Sequence, residues 1–446
     1  MSADKMSRRT MLKGLGLAAA GTVLAGCAPK VVKETVVVEK TVEKVVEKVV
    51  TATAAPVETV SLRYQNHWSR EGDAHYSTME WLYKTFQEQN PNIKLDIQVI
   101  PSSSESTKKM TADCAAGDCP DVVHEVYLDY YDAGWLVDLA PHIDAEWRSR
   151  LIPQVLDELT WDGATYGISV EYSPMSSIWN TALLDEVGKD IPKTWDEFLA
   201  LGEALKSKDL YLTSFKGGMG GHGFTALLFG RQGAAEAMTR GEFDCEQVQY
   251  AWSRLKEVVD NEYNPPNEIE LNWRQLVPLF QTNKIAMYPN GAWHIRNSIT
   301  AEGADPELRN HVDFTPFPAT TGGLGRTIQV MNATAVGLGS QLAKEPKRLE
   351  AAIEFLKHFT SKEAANLFVT DAQSPSGVKT DVPADKVPLL AGFLGAMDEA
   401  DVVFALPASK ILRRKAWSHQ GPGTEALLLG KSAEEATELY AAGLSE

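Results

Sequence analysis

The chain has 446 residues with 44% hydrophobic and 23% charged, a globular balance, and its length calls for more than one hydrophobic core. Its formal net charge of −17 excludes a nucleic-acid binder, which needs basic patches over phosphates. Ser7-Arg8-Arg9-Thr10-Met11-Leu12-Lys13 precedes a Gly- and Ala-rich stretch and then Leu24-Ala25-Gly26-Cys27. This charged, apolar, small-residue order is that of an export signal over residues 1–26, and the apolar part is shorter than the roughly 20 residues of a membrane span. The paired arginines suggest twin-arginine export, and general secretion is the alternative because Met11 sits where Phe is more usual. Residues 24–27 are similar to a lipoprotein box, so Cys27 is expected to carry the lipid that holds the protein to the outer face of the membrane. Loss of residues 1–26 removes four cations and one anion and takes the net charge from −17 to −20.

Residues 27–56 include Glu-Lys pairs at Glu39-Lys40, Glu43-Lys44 and Glu47-Lys48 among valines, with no aromatic residue. They read as a spacer, with a short oligomerising helix as the alternative; a monomer is expected. The body starts near Val57. Residues 59–64 alternate as a strand, and residues 78–89 place Met79, Leu82, Tyr83 and Phe86 on one helical face ended by Asn90-Pro91. Residues 93–99 form a second alternating strand, residues 107–116 a helix, and residues 121–123 a third strand. Strands and helices in this alternation imply an α/β fold with a mainly parallel sheet flanked by helices. Ligands in such sheets lie outside the carboxyl ends of the strands, which selects the loops after Tyr64 and after Val123. Cys114 and Cys119 flank a turn and read as a small disulfide loop, with two free thiols or a metal site as alternatives; no second ligand pair accompanies them. Cys245 reads as a small apolar residue.

Ordered blocks follow along the body: Gly117-Asp118-Cys119-Pro120-Asp121-Val122-Val123, Ala133-Gly134-Trp135-Leu136-Val137-Asp138-Leu139 and Trp161-Asp162-Gly163-Ala164-Thr165-Tyr166-Gly167-Ile168. After Tyr172-Ser173-Pro174 and Trp179-Asn180 come Ile191-Pro192-Lys193-Thr194-Trp195-Asp196-Glu197-Phe198, then residues 280–287, Asn290-Gly291-Ala292-Trp293, and residues 351–361. In this order they resemble the extracellular solute-binding proteins of ABC importers, the family that includes maltose-binding protein. The resemblance implies two lobes that close on a ligand, joined by crossing segments at residues 167–174 and 329–335. By analogy, lobe one is residues 57–170 plus 334–380, and lobe two is residues 171–333 plus 381–446. It also implies ABC permease subunits as partners, a carbohydrate as ligand, and no cofactor, metal or catalysis.

Sugars offer flat C–H faces and hydroxyl rims, which suit aromatic rings and carboxylates or amides. Trp68, after the first strand, and Trp293, where the family commonly packs an aromatic on the ligand, are the leading ring candidates; Trp273 and Trp417 follow. For any of them core packing is the competing role, and Trp195 is assigned to it at a helix start. Glu125, Asp73 and Asn290 are the rim candidates, and Tyr172 lies in a crossing segment where it contacts ligand or sets the hinge. Residues 217–223 read as a glycine-rich loop that either lets backbone approach the ligand or moves at the surface. Tyr130-Tyr131 raises ferric ion, a polyamine suits Asp73 and Glu125, and a glycerophosphodiester or sugar phosphate would need cations, for which Arg70 and Arg326 are the available ones. A cleft enzyme acting on glycans is the remaining rival, but no nucleophile elbow, zinc motif or dinucleotide fingerprint supports it.

Overall fold

The computed structural model describes residues 58–405 and 420–445. The export signal, Cys27, the spacer and Trp417 lie outside the described residues. Strand β1 (Val60–Asn66) buries Leu62 and Tyr64 by its alternation, and helix α1 (Tyr76–Gln89) buries Met79, Leu82, Tyr83 and Phe86. Asn90 stops α1, its side-chain amide donating to the Phe86 carbonyl at 3.0 Å. Strand β2 (Ile93–Val99) follows, then helix α2 (Ser103–Ala115) and β3 (Val122–His124). The helix begins a turn earlier than its apolar pattern implies, because the Ser102 hydroxyl accepts the Glu105 N–H and caps it. The short strands β4 (Thr160–Trp161) and β5 (Ala164–Thr165) make a separate two-stranded hairpin.

β6 (Ile168–Asn180), β7 (Met287–Asn290), β8 (Val312–Thr315), β9 (Thr327–Leu338) and β10 (Val402–Ala405) complete one eight-stranded sheet with β1–β3. Its main path is β2-β1-β3-β9-β6-β7, with β8 on β6 and β10 on β9. β1 pairs in parallel with β2 and β3, as strand–helix–strand units require. The pairs that β6 makes with β7, β8 and β9 are antiparallel instead. β6 and β9 are long strands running in opposite directions between the two halves of the sheet, so their contact cannot be parallel.

Two large apolar cores lie along this sheet. One joins Leu62, Phe86, Val122, Val336, Phe355 and Phe359, the last two from a helix over Pro346–Phe359. The other joins Trp179, Trp195, Phe198, Phe224, Trp252 and Tyr440. Helix α3 (Trp195–Lys206) opens with a capping box: Thr194 accepts the Glu197 N–H while the Glu197 carboxylate accepts the Thr194 N–H. Trp195 is 2% exposed and donates its indole N–H to Glu257, so it serves the core as expected.

The glycine-rich stretch is neither open nor a surface loop. Phe215–Gly223 forms a π-helical segment whose described side chains are largely buried. The described residues from Thr59 onward group as one compact unit. Cys114 and Cys119 are disulfide-bonded, their Cα atoms 4.2 Å apart, and Cys245 is a free thiol packed against the second core.

Candidate functional site

The carboxyl ends of β1 and β3 meet the crossing strand β6 around a set of buried acids and histidines. Asn66, the last residue of β1, accepts the Ser69 N–H at 2.9 Å and donates to the Tyr83 hydroxyl at 3.1 Å. That turn sends Trp68 inward. Its ring stacks on His75 with centroids 3.8 Å apart and meets the His124 ring at 4.9 Å, leaving it 3% exposed. One indole face is therefore covered by protein, and Trp68 forms part of the wall rather than an open platform.

Asp73 accepts hydrogen bonds from both the backbone N–H and Nδ1 of His75, at 3.0 and 2.9 Å. Burial works against its charge, yet these bonds hold the carboxyl below its usual range. The Arg70 guanidinium stands 4.0 Å from the other Asp73 oxygen. On the far side of the imidazole, His75 Nε2 is 3.1 Å from Ser374 Oγ, and that hydroxyl donates to Glu171 Oε1 at 2.8 Å. Glu171 lies in β6 where the register with β9 slips, and burial raises its carboxyl. The sequence reading missed Glu171. Its signal was a lone acid in a strand whose neighbours are small or apolar, where alternation alone marks nothing.

Glu125, directly past β3, adopts a left-handed backbone with φ 61°. One carboxylate oxygen accepts from Ser103 Oγ at 2.7 Å; the other has no hydrogen-bond partner among the described residues, and the residue is 9% exposed. Burial pushes the carboxyl up to about 7; Ser103 opposes this, and the charge of Glu171 adds to it. A buried oxygen without a partner is costly, so a non-glycine residue strained into this conformation marks a place built for something else.

A second group of candidate residues lies at the end of β7. Asn290 is 5% exposed and accepts the N–H of Gly291. The Trp293 ring lies over Gly291 so closely that a Cβ there would sit 2.2 Å from it. Glycine is thus what lets the half-buried indole lie on the chain. His222 and His294 flank the ring at 6.5 and 6.4 Å, and burial lowers each of them to about 3, so both are neutral.

Tyr172 does not stand free in the crossing segment. Its hydroxyl donates to Glu158 at 3.0 Å and its N–H to the Pro375 carbonyl at 3.0 Å, which ties β6 to the first core. Trp273 opens helix α4 (Trp273–Gln281) and is 41% exposed. Arg326 is committed to Glu399 and is no anion receptor. Tyr130 is buried and Tyr131 half-buried on the short helix Leu128–Asp132, and no cluster fit for a metal ion exists among the described residues.

Residues 70–366 match the model of the bacterial extracellular solute-binding protein family. The chain belongs to this family. A multiple sugar-binding protein of Streptococcus mutans is 23% identical over 346 residues, covering 74% of this chain and 77% of that one. An uncharacterized ABC transporter extracellular-binding protein of Pyrococcus horikoshii is 24% identical, covering 58% of this chain and 61% of that one. Among solved structures, a chitin oligosaccharide binding protein has a TM-score of 0.77 at 22% identity, covering 87% of this chain and 98% of that one. An ABC substrate-binding protein of Listeria monocytogenes, solved with cycloalternan, has a TM-score of 0.71 at 20% identity, covering 87% and 98%. The chain therefore has the two-lobed fold of solute-binding proteins.

Proposed function

We propose that this family member captures a mono- or oligosaccharide between its lobes and delivers it to the permease of an ABC importer. The observation that carries this is the buried Glu125 oxygen that lacks a partner among the described residues, and the Trp293 indole fixed over Gly291 supports it. A sugar supplies what both lack: hydroxyl donors for the carboxylate and a flat C–H face for the ring. Glu171, Asp73 and Asn290 complete the polar lining, with Tyr172 and Trp68 as supports. The names of the relatives point the same way, two of them to sugars. The lobes are assigned as residues 57–170 plus 334–380 and residues 171–333 plus 381–446. Residues 1–26 act as the export signal and Cys27 as the lipid anchor; Cys27→Ser moves the protein from the membrane fraction to the soluble one, and retention there would contradict this.

Asp73, His75 and Ser374 are aligned like a hydrolase triad, but Ser374 is 1% exposed and its hydroxyl donates to Glu171. It cannot reach a substrate, so the line is read as a brace for the crossing strand. A polyamine is the second reading, favoured by the three acids Asp73, Glu125 and Glu171. Thermal unfolding with a panel of sugars, spermidine and glycerophosphodiesters separates these. Saturating ligand at about 100 times its Kd stabilises by roughly 2.7 kcal/mol. A midpoint raised only by spermidine or a phosphodiester contradicts the carbohydrate reading.

A further inference from the structure

The line from Asp73 to Glu171 carries hydrogens whose places follow from its geometry. His75, Ser374 and Glu171 are each no more than 3% exposed, so every hydrogen in the line needs a partner within the protein. Asp73 Oδ1 accepts from both the backbone N–H and Nδ1 of His75, and these bonds hold its carboxyl below the usual range, so it is an ionised group that can only accept. His75 Nδ1 therefore carries a hydrogen. A hydroxyl has a single hydrogen, and that of Ser374 goes to Glu171 Oε1, 2.8 Å away. What Ser374 offers His75 Nε2 at 3.1 Å is then a lone pair, so Nε2 carries a hydrogen as well. An imidazole with hydrogen on both nitrogens is a cation.

The groups around the ring suit that charge. The Trp68 indole lies flat on it, with centroids 3.8 Å apart and planes within 10° of parallel, and presents the negative face of its π-system. Phe368, on the helix Lys362–Thr370, packs 6.0 Å away and brings no charge. Burial pushes His67, in the loop after β1, down to about 4, and pushes His124, at the end of β3, well below its ordinary value, so neither is a competing cation. Arg70 approaches the other Asp73 oxygen. From β6 comes Glu171, whose carboxyl burial raises and the charge of His75 lowers, with the Thr334 hydroxyl of β9 bonding to it. Glu125, past β3, is the remaining acid, and it bears on Glu171 through charge.

We propose that His75 is a buried imidazolium that keeps Glu171 ionised in the site, acting through the Ser374 hydroxyl. It is a positioning residue: it fixes both the direction and the charge of the acid on the crossing strand. This deepens the reading above, in which Glu171 lines the site, and gives the brace an electrostatic role beside its mechanical one. Glu171 then meets a ligand as an acceptor only, so the ligand must present a hydroxyl or amide hydrogen at that point. The competing pattern holds the same number of hydrogens: a protonated Glu171 donates to Ser374, Ser374 donates to Nε2, and His75 is neutral. The two patterns differ in where one hydrogen sits.

The first test is nitrogen-15 NMR of the histidine rings in the full chain without ligand, at neutral pH, with His75 assigned through its contact with the Trp68 ring. The wild-type protein is expected to show both His75 nitrogens as N–H. Glu171→Gln should move Nε2 toward the bare, pyridine-type position, because one of its two counter-charges is gone. A bare Nε2 in the wild type, or a ring unmoved by Glu171→Gln, overturns the proposal. The second test is a double-mutant cycle by calorimetric titration with the tightest binder among chitotriose, xylotriose and maltotriose. His75→Gln is expected to weaken binding about tenfold in the wild type and under about threefold in Glu171→Gln, since its effect passes through that acid. Equal losses in the two backgrounds overturn the action through Glu171. Should none of the three sugars bind, the carbohydrate reading loses its support, and the ring nitrogens alone decide for or against the imidazolium.

Discussion

Glu125 combines a strained backbone, burial and one unpartnered oxygen, and these make its charge a stability liability. Its carboxyl is pushed up from 4.5 to about 7, so the folded state holds a proton that the unfolded chain releases earlier. The associated stability is present below pH 4.5 and is lost as pH rises through about 7. Glu125→Gln removes this loss. Unfolding at pH 8 should show the variant gaining on the order of 2–3 kcal/mol over wild type, with the gain shrinking toward pH 5. Sugar affinity should fall, because an amide replaces the charged acceptor. A variant-minus-wild-type difference that stays constant from pH 5 to pH 8 would show that this carboxyl does not titrate there. The position of Glu125 directly past a strand was legible in the sequence, from the apolar run at Val122-Val123. Trp68 was legible as a loop residue only: its burial depends on the Asn66–Ser69 turn and the His75 ring, which no local pattern records. Glu171 and Ser374 meet across 203 positions, and Arg274 meets Pro101 across 173, so neither pair shows in a single sequence.

Strands and helices of the first core were readable from periodicity, since each buries one face and carries its own stop or cap. The sense of the sheet was less so. Parallel pairing follows from strand–helix–strand order, but β6 and β9 return through long connections and their antiparallel contact is a tertiary fact. The glycine-rich stretch shows the opposite failure. Glycine content marks a loop by conformational freedom, whereas here it serves close packing: a Cβ on Gly220 would lie 2.5 Å from the Thr424 hydroxyl. Gly220→Ala should destabilise the protein by roughly 1–3 kcal/mol in denaturant unfolding, the usual cost of overpacking. An unchanged midpoint would mean the segment yields freely, as a surface loop does.

Family membership fixes the molecule's general task as solute binding, and the fold supplies two halves linked by long crossing strands. Ligand capture is then a shift of population toward the state in which both walls contact the ligand together. In the proposed reading Glu125 and Trp293 both contact the ligand, so each should be needed. The most direct test is calorimetric titration of the wild-type protein and Trp293→Ala with the best sugar from the panel and with spermidine. The account predicts saturable one-to-one binding of the sugar, weakened by roughly 1.5–4 kcal/mol in Trp293→Ala. Saturable binding of spermidine alone, or a sugar affinity equal in the two proteins, would contradict it.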